Sequence, residues 1–144
     1  MRGVSWLLFV DVMNVLLRTN TSNPHLELRA VKRFKDGSGY STLLIVRSGA
    51  FEAEKSFYFE EPVFDQFLEQ LIEMNRTLSG KAILKPYYEP EYIAFEMLTG
   101  GHVLITGELF EYSAQSQHLK FGFETDQTCL SPLIADLRAC KKEA

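Results

Sequence analysis

The chain has 144 residues, 46% of them hydrophobic and 24% charged, with a formal net charge of −4 and an aromatic complement of 11 Phe and 6 Tyr. A chain of this length folds around one core, so a single domain over residues 1–144 is expected. The acidic balance excludes the basic stripe of a nucleic-acid binder. Cys129 and Cys140, with no CxxC between them, exclude a cysteine-based zinc site and fit free thiols in a reducing cytosol.

The segment "MRGVSWLLFVDVMNVLL" carries one positive charge and an apolar run from Val4 to Val10. Asp11 interrupts that run and no small-x-small cleavage site follows, so it does not read as a cleaved signal. It is also far short of the roughly 20 apolar residues of a membrane span. Met1–Val12 reads instead as an extension or arm that packs Trp6, Leu7, Leu8 and Phe9 against the body or another subunit. The body then starts at Met13, and the location expected is cytoplasmic.

Asn20–Pro24 is a turn cluster. Leu26–Phe34 and Tyr40–Ser48 read as strands joined by the turn Lys35–Gly39, and the run Leu43-Leu44-Ile45-Val46 implies burial on both faces. After Gly49, Ala50–Glu60 alternates with period two: Phe51, Ala53, Phe57 and Phe59 on one face, Glu52, Glu54 and Ser56 on the other. The period then becomes helical, with Pro62 in a first turn, an apolar stripe through Phe64, Phe67, Leu68, Leu71, Met74 and Leu78, and Gly80 as the stop.

Four further strands are expected, at about residues 82–88, 91–98, 102–112 and 118–125. Gly100-Gly101 makes the tight turn between the middle two. A two-residue turn there would set Glu96 opposite Ile105 and Ile93 opposite Glu108, mixing apolar groups and carboxylates on each face. That mixture implies a sheet that curls, or one whose second face is covered by the arm or a partner.

The stretch Leu119 to Leu137 places the polar knot Glu124–Thr128 between a strand, with Leu119, Phe121 and Phe123 alternating, and a helix, with Leu130, Leu133, Ile134, Leu137 and Cys140 at helical spacing. Ser131-Pro132 has the form of a capping pair, and the oxygens of Asp126 and Thr128 can satisfy exposed amides at a helix start. The knot reads as a joint rather than a catalytic or metal loop.

No catalytic residues and no metal ligands are assigned. His102 and His118 open successive antiparallel strands and so fall at opposite sheet ends, which rules out a metal shared between them. HExxH, GxSxG, GxGxxG and P-loop patterns are absent, and Gly37-Ser38-Gly39 is a hairpin turn rather than a nucleophile elbow. In "YYEPEY", Glu89 and Glu91 flank Pro90 beside Tyr87, Tyr88 and Tyr92. These five form a candidate partner-binding patch, with the tyrosines as anchors and the glutamates as charged rim. The enzymatic alternative is a carboxylate-dependent hydrolase using Glu89 or Glu91, and a third reading is a structural homodimer with no other partner.

The segment "GHVLITGEL…LKFGFETDQTCLSPLIADL" resembles bacterial immunity proteins of the wall-associated-protein (WapI-like) type. The shared features are a Gly-His strand start and a Phe-x-x-Asp-Gln-(Ser/Thr)-x-Leu joint before the last helix, here Phe123–Leu130. The order of three strands, a helix, hairpins and a final helix fits as well, over roughly Met13 to Cys140. The resemblance implies a protein that neutralises a cognate contact-dependent toxin by direct binding, and it carries no catalytic motif; no catalysis, cofactor or metal is expected. The expected fold is α+β, a curled, mainly antiparallel sheet of about seven strands with two helices.

Overall fold

The computed structural model describes residues 13–19 and 22–143, so the expected arm, Met1–Val12, lies outside the described residues. The fold is α+β, with eight strands and two α-helices among those residues. In chain order the strands are β1 (Met13–Leu17), β2 (His25–Arg33), β3 (Gly39–Ser48) and β4 (Phe51–Glu60). Helix α1 (Glu61–Thr77) follows, then β5 (Lys81–Leu84), β6 (Tyr92–Met97), β7 (His102–Glu111), β8 (Gln117–Asp126) and α2 (Leu130–Glu143). The strands form two antiparallel four-stranded sheets, β1-β2-β3-β4 and β5-β6-β7-β8, where the sequence suggested one curled sheet. The strand beyond the expected seven is β1. Its Val15 and Leu17 are buried, and the Leu16 amide donates to Asp136 Oδ2 of α2 at 3.3 Å.

Helix α1 separates the two sheets in the chain and fills the space beside both. Pro62 sits in its first turn, where the missing N–H removes no helical bond. Val63, Phe64, Phe67, Leu68, Leu71 and Met74 are all buried, and each fully buried Phe or Leu contributes about 1.5–3 kcal/mol. The helix stops earlier than Gly80: Leu78 itself takes the left-handed conformation at φ 57°, and its amide donates to the Met74 carbonyl at 2.8 Å. Helix α2 docks on α1 and β1. Lys141 pairs with Asp65 and lies 3.7 Å from Glu61, which is bonded in turn by Arg33 of β2 at 2.9 Å.

The β6–β7 register corrects the sequence reading. Leu98–Gly101 fills the connection, and Met97 pairs with Val103, Phe95 with Ile105 and Tyr92 with Glu108. That is a slip of one residue from the expected register, which turns every side chain to the other face. The alternation is then clean. Ile93, Phe95, Met97, Val103, Ile105 and Leu109 are buried in the core cluster, and Tyr92, Glu96, Leu104 and Glu108 share the opposite face. The mixed faces came from a turn assumed too short. On the core face Gly107 lies under the Phe121 ring, and a Cβ there would come within 2.4 Å of it, so the close approach demands glycine.

In β4 the core face stops short. Phe57 and Phe59 are buried, but Phe51, expected on the same buried face, is 69% exposed because the strand runs beyond the core. Ile45 is buried without joining the core cluster, as a run apolar on both faces requires.

Candidate functional site

The joint comes first, because it carries the sequence features shared with a known family. Asp126 stands in extended conformation ahead of the short turn Gln127–Cys129 and accepts the Thr128 amide at 2.9 Å; the Thr128 hydroxyl donates to the same oxygen. These bonds, the hydroxyl first and the amide second, hold the Asp126 carboxyl below its ordinary range. The cap is therefore Asp126. Ser131, the expected capping residue, instead accepts from Asn75 Nδ2 at 3.3 Å and ties α2 to α1. His102 pairs with Asp126 across β7–β8, and a Cβ on Gly101 would sit 2.8 Å from Gln127 Oε1. The Gly-His strand start and the Asp-Gln joint thus touch each other. Their chemistry is that of a strand–helix corner.

The five residues of the candidate patch divide. Strand β5 ends at Leu84, before Pro86, which cannot continue the ladder, so Lys85–Glu91 is a loop. Tyr87 and Tyr88 are exposed by 54% and 92%, their rings 6.3 Å apart and nearly edge-on. The Tyr87 amide donates to Glu60 Oε1 at 3.2 Å, and Lys85 Nζ donates to the exposed Glu89 carbonyl at 2.6 Å, so the loop is held. Glu91 is no rim charge. It is 6% exposed, its Oε2 accepting the Phe110 amide at 3.0 Å and lying 3.2 Å from Lys55 Nζ. Tyr92 is half-buried and donates to Glu108 Oε2 at 3.0 Å.

Glu108 in turn meets His118 Nε2 at 2.8 Å through its other oxygen, and the His118 ring stacks on Phe110 at 4.3 Å. The Tyr92 hydroxyl, with His118 second, keeps the Glu108 carboxyl below its usual range, and the same bond raises the Tyr92 phenol. Among the described residues no Ser, Thr or Cys side chain bonds to His118, so this array lacks the nucleophile that an acid–base pair would activate. His102 and His118 lie at opposite ends of the β7–β8 pair. Among the described residues no group of three or more His, Cys, Asp and Glu could hold a metal ion.

The exposed loop borders a wider surface built on β4. A concavity of about 400 Å³ lies between Lys55, Tyr58 and Glu60 of β4 and Tyr88, Glu89 and Glu91 opposite. A second of about 400 Å³ follows along the same strand, lined by Phe51, Glu52 and Glu54 and by Phe110, Glu111 and His118. Lys55 lines both, so the Lys55–Glu91 bridge marks their meeting point. Phe51, Tyr58, Tyr87, Tyr88 and Tyr112 are exposed by 54% or more, and all belong to this region or adjoin it. Six glutamates line the two concavities against Lys55 and His118. Sequence reasoning missed Phe51, Tyr58 and Glu60. Their only signal was an aromatic and acidic strand, which looks the same at the edge of a sheet as in its middle.

Among the described residues no helix is long and apolar enough to cross a membrane. No match emerges among curated proteins or solved structures. One family model, the immunity protein WapI-like family, matches residues 16–143, a span that takes in both sheets, both helices and the Gly101–Gln127 corner. The chain belongs to the WapI-like immunity protein family.

Proposed function

We propose that this chain is a cytoplasmic immunity protein that neutralises a contact-delivered toxin by binding it, without catalysis, and that the toxin domain presents a basic surface. The observation that carries this reading is the convergence of exposed aromatics with glutamates along β4 and the 85–91 loop. Large rigid aromatics in a concave, mainly acidic setting are the composition of binding hot spots. The acidic rim would speed encounter with a basic partner while Tyr87 and Tyr88 hold it. Within the five-residue patch, Tyr87, Tyr88 and Glu89 would meet the partner directly, and Glu91 and Tyr92 would support the surface from beneath.

The test is co-expression with the C-terminal domain of a large toxin encoded beside this gene. Protection from killing and a co-purified complex are expected. Unchanged killing with no complex would end the proposal.

A carboxylate-dependent hydrolase using Glu89 or Glu91 has the concavity beside them in its favour. Against the Glu91 version stands its placement, with Oε2 engaged by Lys55 and by the Phe110 amide. A general acid or nucleophile needs an oxygen open to substrate.

A further inference from the structure

We infer that the toxin partner docks by adding an extended, basic segment as a fifth strand to the outer edge of β4, in the groove formed by the two concavities. This rests on the immunity reading above and adds to it the mode of binding and the chemistry of the bound segment.

Strand β4 pairs with β3 along its whole length, Gly39 to Ser48 against Phe51 to Glu60, and among the described residues no strand lies on its other side. The parity of that ladder follows from its two ends. At one end a two-residue turn, Gly49-Ala50 with Gly49 at φ 63°, closes on the pair Ser48 and Phe51, which such a turn hydrogen-bonds. At the other the Glu61 amide donates to the Ser38 carbonyl at 2.9 Å, in the same phase. Bonded and non-bonded pairs alternate in an antiparallel ladder, so the amides and carbonyls of Glu52, Glu54, Ser56 and Tyr58 point away from β3, toward the groove.

A ten-residue edge of this kind is a template for another strand unless something covers it. Two other edges carry cover: the Ile83 amide of β5 donates to Gln70 Oε1 at 2.9 Å, and the Gly122 carbonyl of β8 accepts from Ser48 Oγ at 3.5 Å. The outward groups of β4 have no such bond among the described residues.

The groove states what kind of strand fits. Glu52 is already paired with Arg47 at 3.1 Å, but Glu54, Glu60, Glu89 and Glu111 beside this edge favour Lys and Arg on the incoming segment, and Phe51, Tyr58 and Tyr88 offer ring faces for those cations or for apolar side chains. A second copy of this chain is a poor occupant, because a full-length antiparallel β4–β4 pair centred on Ser56 would set Glu52 of each copy opposite Glu60 of the other.

Ser56→Pro removes an outward amide at an edge position that tolerates proline, whereas Ser56→Ala leaves it in place. Binding of the neighbouring toxin domain to each purified variant is to be measured beside amide hydrogen exchange of the unmodified protein, free and bound. The inference expects Ser56→Pro to bind at least about tenfold more weakly and Ser56→Ala within about twofold. It also expects slowed exchange at Glu52, Glu54, Ser56 and Tyr58 in the complex. The exchange measurement needs no variant, so a misfolded Ser56→Pro leaves the test intact. Tight binding with these amides unprotected, or a dimer formed through β4, overturns strand addition and leaves the immunity reading standing. No binding and no protection from killing overturns both.

Discussion

Lys55 of the first sheet reaches Glu91, the loop residue just before β6 of the second: Nζ lies 3.2 Å from Oε2, and the same oxygen accepts the Phe110 amide at 3.0 Å. One carboxylate thus ties β4 to the ends of β6 and β7 and sets the distance between the two halves of the groove. Glu91→Ala leaves the Phe110 amide without its acceptor and Lys55 without its counter-charge. The expected cost is about 1–3 kcal/mol, read from the urea midpoint. Lys55→Met, which keeps the stem and loses only the charge, should cost less. The double variant should fall short of the sum of the two, because the residues share one interaction. Strict additivity would show that the bridge does not form in solution.

The Tyr40 hydroxyl is buried and finds no hydrogen-bond partner among the described residues. Burial first, with the Glu61 carboxylate second, raises its phenol to about 12. Tyr40→Phe removes an unsatisfied polar group while keeping the ring contact with Phe64 at 4.4 Å, so stability should hold or rise by about 1 kcal/mol. A loss of that size would place an ordered water on the hydroxyl instead.

Burial likewise raises the thiols of Cys129 to about 11 and Cys140 to about 12. All three groups, Tyr40 included, fold in their protonated forms with raised values. Their contribution is therefore complete below the ordinary values of 9.0 and 10.0 and is lost as pH rises toward 12. Melting temperature should be unaffected by these groups from neutrality to pH about 9 and then fall steeply. In the native protein both thiols should react with a thiol reagent at pH 8 far more slowly than after unfolding, since the thiolate is the reactive form. Fast native labelling would contradict their burial.

Asp126→Ala removes the acceptor for the Thr128 amide and should cost about 1 kcal/mol, with Asp126→Asn retaining most of it. Gly101→Ala should cost more. Its φ is +79° and the added Cβ would meet Gln127 Oε1 at 2.8 Å. Gln127→Ala should recover only the steric part of that loss, since the backbone conformation remains. Thermal melts of the three variants and the double variant check this. Full recovery would mean that the clash alone requires glycine.

Tyr88 is 92% exposed, so Tyr88→Ala should leave stability within about 0.5 kcal/mol. The immunity reading expects the same change, and Tyr87→Ala with it, to weaken toxin binding by about 2 kcal/mol or more. Glu91→Gln should lower stability, with any loss of binding following from the shifted loop. A surface on which neither tyrosine matters would have its contacts elsewhere.

Local sequence signals carried seven of the eight described strands and both helices, but not β1. Period two in Ala50–Glu60, helical spacing from Phe64 to Met74, and the polar knot at Glu124–Thr128 are local signals, because side-chain direction repeats with each kind of backbone. The sequence also offered Tyr87 and Tyr88 as exposed anchors, but placed them at the end of a strand over about residues 82–88 that in fact stops at Leu84, ahead of Pro86. Tertiary structure decided the rest. The slip that sorts Ile93 from Glu96 depends on a turn of four residues, and one residue of difference inverts a whole strand. The division into two sheets, the burial of Glu91 and the open edge of β4 depend on partners distant in the chain. No periodicity records whether a strand has one neighbour or two, because the backbone groups that pair strands are the same in every residue but proline.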